Sequence, residues 1–249
     1  MSWTEQVFNY CERGLDPAFW AEPFNALSNG AFLVAALAAG SSLGRLPAAT
    51  EGRSVERLAL WLLVALVAVI GIGSFLFHTF ATRWALLADV GPITVFMVAY
   101  LAFALRTFLG LGWLAIGAIP PAFLLAGAWT SSFTCASRKL VAITEAAREP
   151  CFNGSLGYAP ALMSLVVIGG LAARRQVAGR MLLAAGAVFL LSMALRTLDR
   201  DVCAATRLLG QLRGTHALWH LLNATTLYLL LAAGIGHMRV MGAGRPRPR

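Results

Sequence analysis

Three short stretches of this 249-residue chain place reactive side chain types in otherwise apolar surroundings. GIGSFLFHTF, from Gly71 to Phe80, closes a long apolar run and holds Ser74 and His78 one helical turn apart. Asp89 follows eleven residues after His78, inside WALLADVGPITVF. Far downstream, THALWH sets His216 and His220 at i and i+4, on one helical face. Ionisable groups at membrane depth are costly, so each is read as a functional candidate. A hydroxyl, a carboxylate and three imidazoles are the parts of a metal-dependent hydrolase. Neutral imidazole is a favoured zinc ligand, and three protein ligands plus water is a common catalytic arrangement. His78, His216 and His220 are therefore candidate Zn²⁺ ligands. Asp89 is a candidate general base, or the group that orients the water or a ligand. Ser74 is a candidate donor to a developing oxyanion. It is a poor candidate nucleophile, because metal would occupy the nearest histidines.

Each residue also has a plainer reading. A lone His in an apolar helix more often packs or bonds to a carbonyl than ligates a metal. Ser74, beside Gly71 and Gly73, fits close helix packing, and His237 fits an interfacial position. Asp89 is hardest to explain that way, since a carboxylate there requires a partner. Haem is a rival use of the histidines, but His216 and His220 share one face and cannot be its two opposite axial ligands. A non-catalytic zinc clamp between the second, third and seventh helices is the main alternative, with Asp89 as the fourth ligand that closes a structural site. A transporter or proton relay would want ionisable groups at several depths rather than one. Near the start of the chain, Glu12, Asp16 and Glu22 are hard oxygen ligands that could hold Ca²⁺. The competing reading is a solvated acidic segment, with Glu22 near a helix N-terminus.

The elements that must position these groups follow from hydropathy. The chain is 59% hydrophobic and 12% charged, with a mean hydropathy of +0.72. Soluble domains carry about 25% charged residues, so an all-α, polytopic membrane protein is expected, a seven-transmembrane helix bundle. About 20 apolar residues cross a bilayer core, and seven segments qualify, near 25–43, 58–79, 85–106, 110–129, 157–173, 180–196 and 215–236. Pro120 and Pro121 should kink the fourth, and 130–156 reads as a loop with a short interfacial helix. The expected organisation is an N-terminal segment over 1–24, a membrane domain over 25–238 and a basic disordered tail over 239–249. The net charge of +9 is assigned to lipid and topology rather than to nucleic acid. No signal peptide is expected, as MSWTEQVFNYCERGLD has neither a basic start nor an apolar core.

With seven spans, His78, Asp89, His216 and His220 all approach the side that holds the N-terminus. Nine of the 20 Lys and Arg residues fall on that side and eleven on the other. That bias places the N-terminus extracytoplasmic and the C-terminus cytoplasmic. Cys11, Cys135, Cys151 and Cys203 also fall on the N-terminal side, as suits an oxidising compartment. Four cysteines leave three possible pairings.

The residues now assembled resemble a known family. CE at Cys11–Glu12, E-x-x-N-x-x-SN from Glu22, G-x-GSxxFH from Gly71, then Asp89 and HAxWH from His216 are similar, in order and spacing, to the alkaline ceramidases. These belong to a superfamily of seven-helix membrane hydrolases that includes the adiponectin-receptor-like proteins. The resemblance implies a zinc amidase cleaving the N-acyl bond of ceramide to a fatty acid and a sphingoid base. It implies His78, His216 and His220 as zinc ligands, Asp89 as the group activating water, and Ser74 as assisting the oxyanion. It also implies a calcium site in the N-terminal segment, which would fall on Asn9, Tyr10, Glu12 and Glu22. There the chain departs from the family pattern. Asn9 and Tyr10 stand for Asp and Trp, the spacing from CE to the second Glu is about one residue shorter, and Gly14 falls near a family Asn; Asp16 is the candidate replacement. The family's disulfide, from the N-terminal segment to the loop before the seventh helix, fits Cys11–Cys203, with Cys135–Cys151 as the second pair. The Arg-, Ala-, Gly- and Leu-rich composition suggests a bacterial protein of the plasma membrane, whose lipid substrate is ceramide or another N-acyl lipid.

Overall fold

A computed structural model describes residues 2–47, 53–136, 148–174, 176–208 and 210–243. Its helices are α1 (Pro23–Ser28), α2 (Gly30–Gly44), α3 (Ser54–Phe80), α4 (Arg83–Thr107), α5 (Trp113–Ser131), α6 (Ala159–Ala173), α7 (Val177–Leu198) and α8 (His216–Ala243). Seven spans are long and apolar enough to cross a membrane, with α1 and α2 forming the first and the 3₁₀ segment Cys151–Tyr158 leading into α6. The protein is an all-α, multi-pass membrane protein.

The spans start and stop within a few residues of the hydropathy boundaries. α5 stays helical through Pro120 and Pro121. The loop expected over 130–156 contains a short hairpin, β1 (Thr134–Ala136) paired with β2 (Arg148–Pro150), before the 3₁₀ segment; residues 137–147 lie outside the described residues. At the C-terminus α8 continues to Ala243, so only 244–249 of the expected tail lie beyond the described chain. A second small hairpin, β3 (Arg207–Leu208) with β4 (Gln211–Leu212), precedes α8.

At 27 residues, α3 is about 40 Å long, enough to span the hydrocarbon core. It ends at Ala81, which adopts a left-handed conformation (φ 48°) while its N–H bonds the Phe77 carbonyl. The turn into α4 then accepts the N-terminal segment: Val7 N–H donates to Ala81 O at 2.7 Å, and Arg83 N–H to Glu5 O at 3.1 Å. Gly73 sets the approach of α3 to α4, since a Cβ there would collide with the Ala88 carbonyl. That contact brings the turn carrying Ser74 against the turn carrying Asp89. The apolar core runs between the helices, through Phe32, Leu60, Ile70, Phe96, Leu182 and Leu231.

Both disulfides lie at the end of the bundle that holds the N-terminus, pairing Cys11 with Cys203 and Cys135 with Cys151. The first ties the N-terminal segment to the stretch before α8.

Candidate metal centre

Two helices supply the three imidazoles. The last turns of α3 bring His78, and the first two turns of α8 bring His216 and His220, all at most 2% exposed. One nitrogen of each ring lies within 4.8 Å of the others, and ring centroids are 4.5–5.1 Å apart. The spacing places His216 and His220 on one face of α8, as the i, i+4 rule requires. Only tertiary packing adds His78.

Hydrogen bonds orient two of the rings. His78 Nδ1–H donates to Glu22 Oε2 at 2.6 Å, leaving Nε2 buried and without a partner. His220 Nδ1 meets Ser28 Oγ at 2.7 Å, and Ser28 itself donates to Asn25 O at 2.8 Å. Ser28 Oγ therefore accepts from His220 Nδ1–H, which turns the Nε2 lone pair of His220 to the cluster. His216 also keeps a buried, unpartnered Nδ1, and its ring stacks on Tyr10 at 3.7 Å. Buried polar atoms without partners are costly. Buried ring nitrogens gathered in this way are the donors that a cation requires, so the donor set fits a metal such as zinc.

Asp199 fixes the start of α8. Its Oδ1 accepts the N–H groups of Thr215 (2.8 Å) and His216 (2.9 Å), and its Oδ2 that of Cys11 (3.0 Å). A carboxylate is favourable at a helix N-terminus. Burial nevertheless pushes the Asp199 carboxyl above its usual range, against these three N–H groups. Gly214 is left-handed (φ 66°), and a Cβ there would collide with Asp199 and Cys11. The Asp199 contacts and the Cys11–Cys203 disulfide thus hold His216 and the N-terminal segment in one unit.

Asp89 and Ser74 line the same cavity as His216 and His220, together with Asn9, Tyr10, Arg196 and Asn223. Asp89 Oδ1 is buried without a partner, and Asp89 is not among the residues grouped within 4.8 Å. Ile70, Ile93, Tyr158 and Asn223 also line a deeper, apolar cavity reaching Phe96, Tyr100 and Leu230. Val90, Ile93, Tyr158 and Arg196 are shared with a third cavity, which extends to Leu124 and Ala128 on α5. A polar chamber thus adjoins an apolar pouch and a cavity between α4 and α5.

The acidic N-terminal residues do not converge on one point. Glu12 accepts the N–H groups of Phe24 (3.0 Å) and Asn25 (2.8 Å) at the start of α1 and pairs with Arg213 at 2.8 Å. Glu22 stands beside that helix start as expected, at the N-cap position of α1, but its side chain makes no cap. Its carboxylate binds His78, Asn25 and Arg13. Burial raises its carboxyl, but His78, Asn25 and Arg13 outweigh that and hold it below its usual value. Asp16 Oδ1 accepts from Ala18 N–H at 2.8 Å. Asn9 and Tyr10 face the cavity of the histidines instead. With a guanidinium already bound to Glu22 and another to Glu12, this donor set does not fit a calcium ion.

Sequence reasoning missed Arg13, Arg196 and Asp199. Arg196 donates from Nη1 to Tyr10 Oη at 3.1 Å, and its guanidinium lies 5.5–5.8 Å from the ring centres of Tyr10, Tyr158 and Trp219. Burial pushes the Tyr10 hydroxyl up to about 12, so it remains a neutral phenol. Arg196 and Asp199 had a usable signal, as ionisable residues closing an apolar run.

A family model described as Ceramidase matches residues 4–246, nearly the whole chain. No curated protein matches it.

Proposed function

The chain belongs to the ceramidase family, hydrolases that act on the amide bond of ceramide, and from that premise we propose that His78, His216 and His220 hold a zinc ion at which a lipid amide is hydrolysed. The observation that carries the reading is the buried group of three histidines, two of which, His216 and His220, line a cavity walled by Asp89 and Ser74. Zinc in a three-ligand site polarises a carbonyl and makes water nucleophilic near neutral pH.

The chain's own residues do the rest. Asp89 accepts the proton of the attacking water and returns it to the nitrogen as the C–N bond breaks, giving a fatty acid and an amine. Ser74 donates to the carbonyl oxygen as negative charge develops there. Glu22 and Ser28 hold His78 and His220 with their Nε2 lone pairs inward. The apolar pouch beyond Ile70 and Ile93 receives the acyl chain, and the route along α4 and α5 admits lipid sideways and limits water. Ceramide is the first substrate to try, and other N-acyl lipids follow from the same chemistry. All four half-cystines lie at the site's end of the bundle, which supports an extracytoplasmic N-terminus in a bacterial plasma membrane.

The zinc-clamp alternative would need Asp89 as a fourth ligand. Its absence from the 4.8 Å group favours an open coordination position and hence catalysis. The test is turnover of a ceramide bearing a fluorescent acyl chain by detergent-purified protein of measured zinc content. Release of fatty acid that stops when zinc is stripped, returns on its addition and is absent in His78→Ala is the expected result. Undiminished turnover by protein shown to contain no zinc would overturn the reading.

A further inference from the structure

Arg13 occupies an unusual place for a charged residue: its side chain is fully buried, yet every N–H it has is used. Nε donates to Glu22 Oε1 at 2.5 Å. Nη1 donates to the carbonyls of Asp16 (3.0 Å) and Ala18 (2.9 Å). Nη2 donates to the carbonyls of His78 (2.9 Å) and Thr79 (3.1 Å). A guanidinium offers five N–H donors in a fixed plane, and here one carboxylate and four backbone oxygens meet all five. Such an oxygen shell is what a hard divalent cation would require. Two of the carbonyls belong to the last turn of α3, where a positive charge is favoured by the helix dipole.

We propose that Arg13 is a built-in cation which replaces the calcium ion expected in this segment, and that it is a positioning residue for the metal centre, acting through Glu22 on His78. The charges agree with this. Glu22 faces Arg13, and Glu12, also buried, faces Arg213, so a calcium ion would find no uncompensated carboxylate pair there. The chain of contacts is short: Arg13 holds Glu22 Oε1, Glu22 Oε2 holds His78 Nδ1, and Nε2 on the same ring points into the cluster. Arg13 also grips the His78 and Thr79 carbonyls, so it fixes both the backbone and the ring of one histidine.

Permanent attachment is the consequence. A calcium ion exchanges with the medium, and its removal loosens the segment; an arginine on the same chain does neither. Zinc binding should then be independent of external calcium.

Two measurements on the full-length protein test this. In equilibrium dialysis with radioactive calcium at millimolar concentration, the wild type is expected to show no saturable binding, and its thermal midpoint to stay unchanged. Stoichiometric calcium binding that raises the midpoint and disappears in Glu22→Gln would overturn the replacement. Zinc affinity, read by competition with a chelating indicator, is the second measurement. Arg13→Lys keeps the charge but has three donors rather than five, and is expected to weaken zinc binding by roughly 10- to 100-fold, as loss of a ligand's supporting partner does. A lowered thermal midpoint with unaltered zinc affinity would show a merely structural arginine and sink the positioning role. The positioning role rests on zinc at the three histidines, whereas the calcium result does not, so wild-type protein unable to hold zinc would overturn the proposed function and leave the calcium measurement to stand alone.

Discussion

The last and the fourth membrane spans have the same mean hydropathy, 1.4, yet opposite roles. In its most apolar stretch the α8 span is 61% buried and the α5 span 6%. α8 presents His216, His220, Asn223 and Thr226 to the interior, all of them buried. α5 turns Trp113, Leu114, Leu125 and Trp129 outward, where lipid would solvate them. Hydropathy reports that a helix is compatible with a bilayer. What it cannot report is whether polar atoms on that helix have partners inside the protein, and this separates the helix that carries two of the clustered histidines from the one that borders the outer cavity.

The difference predicts graded responses. The largest effect is expected at α8: His216→Ala or His220→Ala should cost zinc affinity and turnover by more than the roughly 100-fold attributed to losing a ligand's hydrogen-bond partner, while the protein still inserts. Metal analysis of the purified variants checks this, and a variant that retains stoichiometric zinc would break the assignment of α8. Next comes Glu22→Gln, which leaves His78 in place but weakens its anchor. Zinc affinity should fall by roughly 10- to 100-fold, read by chelator competition.

Packing effects rank below these. Leu231→Ala, at a fully buried position on α8, should cost roughly 2 kcal/mol or more in reversible unfolding from detergent. Gly73→Ala pushes α3 away from the Ala88 carbonyl. Overpacking of this kind costs roughly 1–3 kcal/mol, and turnover should fall with it, because Ser74 and Asp89 separate while the histidines keep their zinc. The smallest effect belongs to α5. Leu125→Ala, 72% exposed, should change stability by no more than about 0.5 kcal/mol. A loss there equal to that of Leu231→Ala would erase the contrast between the two spans.

Much of this was legible in the chain. The spans emerged from apolar run length, because a bilayer sets a minimum that few soluble helices meet. Ser74-x-x-x-His78 and His216-x-x-x-His220 were legible because helical periodicity puts i and i+4 on one face. Asp89 stood out as a carboxylate in an apolar run. The role of Arg13 is not legible, since nothing near it in sequence explains it: Glu22 is nine residues away and the His78 carbonyl 65. Asp199 is visible as an ionisable residue closing an apolar run, but its partner Cys11 lies 188 residues away, so its role is not legible. Glu12 and Glu22 are both candidates in the chain, but which carboxylate accepts the first N–H groups of α1 and which holds His78 depends on where the N-terminal segment folds back.

Local order along the chain therefore determined the seven-helix class and the side-chain types that the candidate site brings together. These depend on run length, periodicity and side-chain chemistry, each readable within a few turns. Tertiary structure alone decided which histidine nitrogen faces inward, which carboxylate holds which ring, and that an arginine sits where a calcium ion was expected. Those outcomes depend on hydrogen bonds between residues far apart in sequence, and a buried donor or acceptor finds its partner in space.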